Sequence, residues 1–235
     1  MDEPEVQKIK LSVILPCRNE EESLGDCLAK INRIVVSNNI AAEIIVSDSS
    51  SDKSPQIAAE MGAKLVKHDK VGYGIAYQEG FNAACGDYLF LADADCSYDF
   101  CEIPAFLKEL ENGHDFVIGN RFGKKMVPNS MPWANRYFGN PILSYLLRLM
   151  SGARVKDAHS GMRAISREAL DKLELKTAGM EFASEMILEA MRNNLKIKEL
   201  PIEYFPRKGI SKLRPVMDGW RHLKLILSYA VNSKS

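Results

Sequence analysis

Asp93 and Asp95 stand one residue apart in the stretch FLADADCSYD, residues 90–99, directly after an apolar run. Two carboxylates held that close repel, and each favours its neutral form. A divalent cation between them removes the repulsion. Mg²⁺ and Mn²⁺ take hard oxygen ligands and commonly share them with substrate phosphates. Ser97 and Asp99 add further oxygens just downstream. A D-x-D alone is a weak signal that two solvated loop aspartates would also produce. Its weight depends on the elements that carry it.

Those elements alternate. KLSVILP (10–16), EIIVSD (43–48), AKLVKH (63–68), DYLFLAD (87–93) and DFVIGN (115–120) have the short apolar, β-branched character of buried strands. Helical patterns lie between them. Leu24, Leu28, Ile31 and Val35 share one helical face. KSPQIAAEMG (53–62) opens with Ser54 as a candidate N-cap and Pro55 in the first turn; residues 74–85 and 102–113 follow the same logic. Strand–helix alternation implies an α/β fold with a mostly parallel central sheet flanked by helices. In such sheets ligands gather at the carboxyl ends of strands, where Asp48, Asp93 and Arg121 all fall. The second half is more helical, with candidates at 134–152 and 181–194, an extended stretch at 195–209, and a basic amphipathic C-terminal helix at about 215–232. No repeat or linker divides the 235 residues, so one domain is expected.

Three turns sit beside the acidic pair in this scheme. LPCRNEEESL (15–24) ends a strand and enters a helix; Glu20 could accept from a base, or Glu20–Glu22 could simply favour a helix N-terminus. VSDSSSDKS (46–54) repeats the pattern with Asp48 and Asp52, and backbone N–H groups of such turns can face phosphate. DKVGYGIAYQEG (69–80) places Lys70 ahead of a glycine turn. It lacks the G-K-[ST] of a P-loop, yet could still approach a phosphate closely.

LSVILPCRNEEESL, VSDSSSDKS, KVGYGIAYQEG, FLADADCS, GNRF, SGMR and PRKGISKLRPVMDGWRH occur in this order from Leu11 to about Leu227. The set resembles the family 2 glycosyltransferases of GT-A (Rossmann-like) fold, most of all the dolichyl-phosphate mannose synthases and related polyprenyl-phosphate hexose synthases. The resemblance implies that Pro16, Arg18, Glu20 and Asp48 line a base and ribose pocket. It implies that Asp93 and Asp95 hold Mg²⁺ or Mn²⁺ against the donor diphosphate, with Ser97 where mannose synthases tend to carry a glutamine ligand. Ser47 and Ser49 replace an aspartate and a glycine common in the family's turn. Arg207 and Lys212 would contact donor phosphates, and Arg121, Arg136 and Asn140 match acceptor-phosphate positions. Asp95, Arg121 and Arg136 are thus the expected catalytic residues, and Lys70 joins the donor-binding set.

Electrostatics agrees with these roles. Charge builds on the departing diphosphate, where a metal with Arg207 and Lys212 would stabilise it. From Glu203 to Lys224, six basic residues stand against only Glu203 and Asp218, so that segment suits an anion. Arg121 and Arg136 suit a second one, since guanidinium matches phosphate with a fork of donors, although either alone could be a surface ion pair. A lipid monophosphate is largely ionised near neutral pH and needs positioning rather than a base. The expected reaction is therefore inverting transfer of a hexosyl group from GDP-mannose, UDP-glucose or UDP-N-acetylglucosamine to dolichyl or polyprenyl phosphate. A hydroxyl acceptor would need a base, for which Asp157, His159, Glu181 and Glu185 are available; Glu185 could instead meet Arg163 or a sugar hydroxyl. A nucleotide-sugar-binding protein without catalysis is the third alternative.

Composition bounds the surroundings. Lys and Arg total 31, as do Asp and Glu, so no global charge points to nucleic acid. Five cysteines without a C-x-x-C pair read as reduced and mostly core. The polar opening MDEPEVQKIK does not read as a signal peptide, and no apolar run approaches the ~20 residues of a membrane span. Trp133, Tyr137 and Phe138 beside Arg136, and Trp220, Leu223 and Leu227 among cations, suit a lipid interface. Cytoplasmic protein peripherally attached to the membrane, with a possible membrane-protein partner, is the expected setting.

Overall fold

Strand β1 (Leu11–Cys17) runs through the middle of the molecule with all but one residue buried. Leu11, Val13 and Leu15 enter one hydrophobic cluster and Ile14 enters the other, so the strand's period of two feeds both faces of the sheet. The computed structural model describes residues 8–124, 126–209 and 211–232. Around β1 lie β2 (Ala42–Asp48), β3 (Lys64–Lys67), β4 (Tyr88–Leu91), β5 (Phe116–Asn120), β6 (Arg163–Ser166) and β7 (Ile197–Pro201). The sheet order is β3-β2-β1-β4-β6-β5-β7. Strands β1 to β4 are mutually parallel, as are β5 and β7, while β6 runs antiparallel between β4 and β5.

The helices cover both faces. On one side α1 (Leu24–Ser37) and α4 (Ile103–Glu111) bury Leu24, Leu28, Ile31, Phe106 and Leu110. On the other, α3 (Tyr73–Ala83), α5 (Asn140–Ser151) and α7 (Phe182–Arg192) bury Tyr77, Phe81, Leu147, Phe182 and Met186. Short α2 (Ser54–Glu60) and α6 (Arg167–Leu170) complete the connections. Helix α8 (Pro215–Asn232) packs on α5 and α7 through Asp218, His222 and Ile226, a stripe spaced by four.

The sequence expectations hold for element type, with local differences. Strand β4 stops at Leu91, so Asp93 and Asp95 belong to the following loop rather than to one strand face. Ser54 is the first residue of α2, not its cap; its Oγ instead accepts the Glu20 N–H at 3.0 Å. The helix expected from 134 begins as a π-helical turn, Asn135–Gly139. Pro141 has no N–H for an ordinary helical bond, and the Asn140 N–H bonds Asn135 O instead. The SGMR segment supplies strand β6, which short polar-flanked RAIS does not announce. The cysteines also differ: Cys17 and Cys27 are buried, but Cys85 and Cys101 are exposed and Cys96 partly so.

Candidate active site

Parallel pairing places the carboxyl ends of β1, β2 and β4 on one edge, with Cys17 beside Asp48 and Ile14 beside Leu91. A cleft of about 1520 Å³ opens there. Pro16, Arg18 and Glu20 line one end and Asp93, Asp95 and Arg121 its floor; Arg207 and Lys212 also line it. Asn140 marks the far wall, where Phe138, Ile142, Leu146, Val216 and Trp220 make the surface apolar.

The two aspartates are held differently. Asp93 accepts from Tyr73 Oη at 3.1 Å, and burial and the neighbouring Asp95 charge push its carboxyl up to about 7. A Cβ on Gly161 would meet Asp93 Oδ2 at 2.6 Å, so this glycine makes room for the carboxylate. Asp95 Oδ1 accepts from the backbone N–H of Ser97 at 3.0 Å and from Ser97 Oγ at 2.5 Å. Ser97 therefore orients Asp95, and its hydroxyl is already engaged. Asp95 Oδ2 faces Arg207 Nη1 at 3.5 Å. Two clustered hard-oxygen donors, one with a proton affinity that a cation would relieve, fit Mg²⁺ or Mn²⁺ completed by water or phosphate oxygens. Among the described residues no third His, Cys, Asp or Glu joins them.

Arg207 and residues 211–214 line the cleft. Arg207 bridges Glu20 Oε1 and Asp95 Oδ2, each at 3.5 Å, and Lys212 pairs with Glu20. The Lys208 N–H donates to Asp95 O at 2.9 Å, fixing the segment to the carboxylate loop. Asp48 lies at the end of β2 but is fully buried behind the lining residues. Among the described residues neither of its carboxylate oxygens has a hydrogen-bond partner, which is rare for a buried carboxylate.

Other residues singled out in the sequence take different places. Lys70 pairs with Glu79 and does not line the cleft. The glycine turn has a packing reason: a Cβ on Gly72 or Gly74 would collide at 2.2 Å with Ala178 O or Thr177 O. Arg121 is buried in a two-point ion pair with Asp157 (Nε–Oδ2 2.7 Å, Nη2–Oδ1 2.8 Å) and lies over the Tyr204 ring. Arg136 stacks on Tyr137 at 5.3 Å, beside the cleft rather than on its lining. Asn140 donates to Met131 Sδ at 3.3 Å. Arg214 and Arg221 do line the cleft and are the cations nearest its apolar end in sequence. Their presence in the basic 203–224 segment was the available signal.

The four candidate bases separate clearly. Asp157 is taken by Arg121. Glu185 accepts from Lys176 N at 3.0 Å, Thr177 N at 2.9 Å and Thr177 Oγ1 at 2.6 Å, a loop anchor. Arg163 meets not Glu185 but the carbonyls of Ala158, Ser160 and Ala183, each at 2.8 Å. His159 Nε2 lies 3.2 Å from Ser184 Oγ, which lies 2.8 Å from His222 Nδ1. Burial holds both rings below the usual histidine range, His222 at about 4. His159 and Glu181 both line the cleft, and Glu181 Oε2 is buried without a hydrogen-bond partner among the described residues.

Comparison with known proteins fits this site. The family model described as Glycosyl transferase family 2 matches residues 12–174. A low-salt glycan biosynthesis hexosyltransferase of Haloferax volcanii, Agl6, is 44% identical over 92% of this chain, which spans about half (53%) of that protein. A dolichyl-phosphate hexose transferase of the same organism is 34% identical, with 89% of each chain covered. A glucosyl-3-phosphoglycerate synthase from Mycobacterium tuberculosis, solved with Mn²⁺, UDP and glucosyl-3-phosphoglycerate, superposes with a TM-score of 0.75 at 22% identity. That match covers 94% of this chain and 80% of the other. Strand-end carboxylates lining one cleft and these matches lead to one assignment: the chain belongs to glycosyl transferase family 2, with the GT-A fold of those enzymes.

Proposed function

We propose that the protein transfers a hexosyl group from a nucleotide sugar to a dolichyl or polyprenyl phosphate. The observation that carries this reading is the two-ended cleft. Its carboxylate lining suits a metal-bound diphosphate, and Phe138, Ile142, Val216 and Trp220, which also line it, are apolar and exposed. Trp133, Tyr137, Ile142, Tyr145, Leu149, Val216 and Trp220 are all large, apolar and exposed on α5, α8 and the turn before α5. Such a contiguous patch marks a lipid or partner surface. No described helix is long and apolar enough to cross a membrane, so contact with lipid would be lateral. The similarity to a dolichyl-phosphate hexose transferase supports the same acceptor.

In this mechanism Glu20 accepts N–H groups of the base, and Asp48 lies buried behind that end of the cleft. Arg18 lies at the same end. Asp93 and Asp95 would hold Mg²⁺ or Mn²⁺, which when bound would supply positive charge beside the donor diphosphate. Arg207 and Lys212 exchange their present carboxylate partners for the donor phosphates. The acceptor phosphate enters from the apolar end, where Arg221, Arg214 and Asn140 meet it and Arg136 lies beside its path. Arg121, neutralised by Asp157, positions the floor between the substrates. The phosphate attacks the anomeric carbon from the face opposite the diphosphate, giving inversion. No protein base is required.

One observation favours a second reading, transfer to a hydroxyl: the unpartnered Oε2 of Glu181 at the cleft wall would suit a general base. The test mixes protein, Mn²⁺ or Mg²⁺, short-chain polyprenyl phosphate and each radiolabelled nucleotide sugar in turn. An acid-labile, organic-extractable product from wild type and from Glu181→Gln is expected. Loss of lipid product in Glu181→Gln, or its absence from every donor with wild type, refutes the phosphate acceptor.

A further inference from the structure

Cys27 and Cys96 are 69 residues apart in sequence, yet their sulfurs are 3.5 Å apart. Cys27 sits on α1 with no solvent exposure, while Cys96 is partly exposed and lies between Asp95 and Ser97. The Cys96 sulfur also approaches Ser23 O at 3.6 Å, at the start of the same helix. Cys96 has φ 62°, a left-handed conformation uncommon for a residue other than glycine. We propose that these two thiols form a reversible disulfide that sets the geometry of the carboxylate loop.

A disulfide brings its sulfurs to about 2.05 Å, so bonding pulls them roughly 1.5 Å closer. Helix α1 cannot supply that movement, because Leu24, Leu28 and Ile31 are fixed in the core. The loop must supply it, and Cys96 is joined directly to Asp95 and Ser97. The Ser97–Asp95 hydrogen bonds and the Lys208 N–H bond to Asp95 O share that loop. A binding constellation must be held within about 0.5 Å of its productive geometry, less than the movement the bond requires. Oxidation therefore weakens cation binding by Asp93 and Asp95, a consequence that rests on the metal role given them above; formation of the bond does not.

Burial fixes the order of steps with a peroxide as oxidant. The Cys96 sulfur attacks one peroxide oxygen and the O–O bond breaks. The thiol proton leaves with the departing hydroxide as water, and Cys96 becomes a sulfenic acid. The Cys27 sulfur then attacks the Cys96 sulfur, the S–O bond breaks, and the Cys27 proton leaves with that hydroxide as a second water. Two thiols give up two electrons, and the peroxide takes them.

The full chain is treated with hydrogen peroxide, digested and mapped, and Mn²⁺ binding is followed by electron paramagnetic resonance before and after. A linked Cys27–Cys96 peptide is expected, with at least tenfold weaker Mn²⁺ binding that dithiothreitol restores. Cys27→Ala should bind Mn²⁺ as wild type does; peroxide can still oxidise its Cys96 to a sulfenic acid, but no linked peptide should form and the Mn²⁺ affinity should be retained. If that variant fails to fold, Cys96→Asn, whose side chain tolerates left-handed backbone, takes its place. No linked peptide, a linked peptide with unchanged Mn²⁺ affinity, or equal peroxide sensitivity in the variant overturns the proposal. Absent sugar transfer with Mn²⁺ binding intact would count against the proposed reaction alone.

Discussion

Tyr73→Phe isolates one hydrogen bond at the carboxylate pair. The hydroxyl donates to Asp93 Oδ1, while the ring packs edge-on against Tyr77 at 5.0 Å and Phe182 at 6.4 Å. Phenylalanine keeps those ring contacts, so the fold should survive. Hydrogen bonds to charged groups contribute about 1.5–3 kcal/mol. At 3.1 Å this one is longer than the 2.5–2.7 Å of strong O–H···O⁻ bonds, which places it near the lower figure. About 1.5 kcal/mol corresponds to roughly tenfold in cation affinity and to about one pH unit. The bond favours the ionised form, so its loss raises Asp93 further above 7. Mn²⁺ binding measured by calorimetry from pH 6 to 9 should weaken about fivefold at pH 7 and about tenfold at pH 6, with its pH midpoint displaced upward by about one unit. The deficit should close at high pH, where Asp93 is ionised in both proteins. Equal affinity and an unmoved midpoint would show that Asp93 does not bind the cation through this carboxylate, or that Tyr73 does not hold it.

Three further outcomes are expected. Gly161→Ala drives a methyl to 2.6 Å from Asp93 Oδ2; Mn²⁺ affinity should fall at least tenfold with a melting temperature close to wild type, both read on one preparation. Asp157→Asn strands the buried Arg121 guanidinium and should cost about 3–5 kcal/mol in a denaturant titration, whereas a surface arginine pair would give under 1 kcal/mol. Acid should destabilise the protein through its buried histidines. His222 is held at about 4, and His159 also lies below its usual range, so the unfolded chain binds more protons below pH 6.5. Their stabilisation is complete above 6.5 and is lost as pH falls toward 4; His222→Gln should flatten that slope in thermal melts.

Much of the frame was legible because it depends on local rules. A buried strand through the sheet centre must be apolar on both faces, and LSVILPC is. Helix α1 buries Leu24, Leu28, Ile31 and Val35 because their spacing leaves no other face apolar. Strand β6 was not legible. RAIS is four residues long, and its place between β4 and β5 is decided by pairing with partners far away in sequence. The glycine turn lines the cleft at Gly72, and its second reason, packing, was hidden for a related cause. Gly72 and Gly74 suggest open backbone for a phosphate, but the backbone they admit is that of Thr177 and Ala178.

The site shows the same division between residue type and residue partner. Type and spacing marked Asp93, Asp95 and Glu20, the family resemblance singled out Arg207 and Lys212 within the basic segment, and all five line one cleft. They did not reveal that Arg207 and Lys212 would already be paired with Glu20 and Asp95. A cation opposite two acids is not a free phosphate site. It must give up one set of partners to take another, and the substrate must repay that exchange. Arg121 cannot make the exchange on equal terms. Its partner Asp157 is wholly buried and would be left charged and unpaired, a penalty of several kcal/mol. Arg221, by contrast, has only Asp218 at 3.8 Å and is about half exposed, so it can turn to an incoming phosphate at small cost. The arginine that sequence spacing favours is therefore committed to holding the floor, and the cations free to follow a substrate are those of the C-terminal segment.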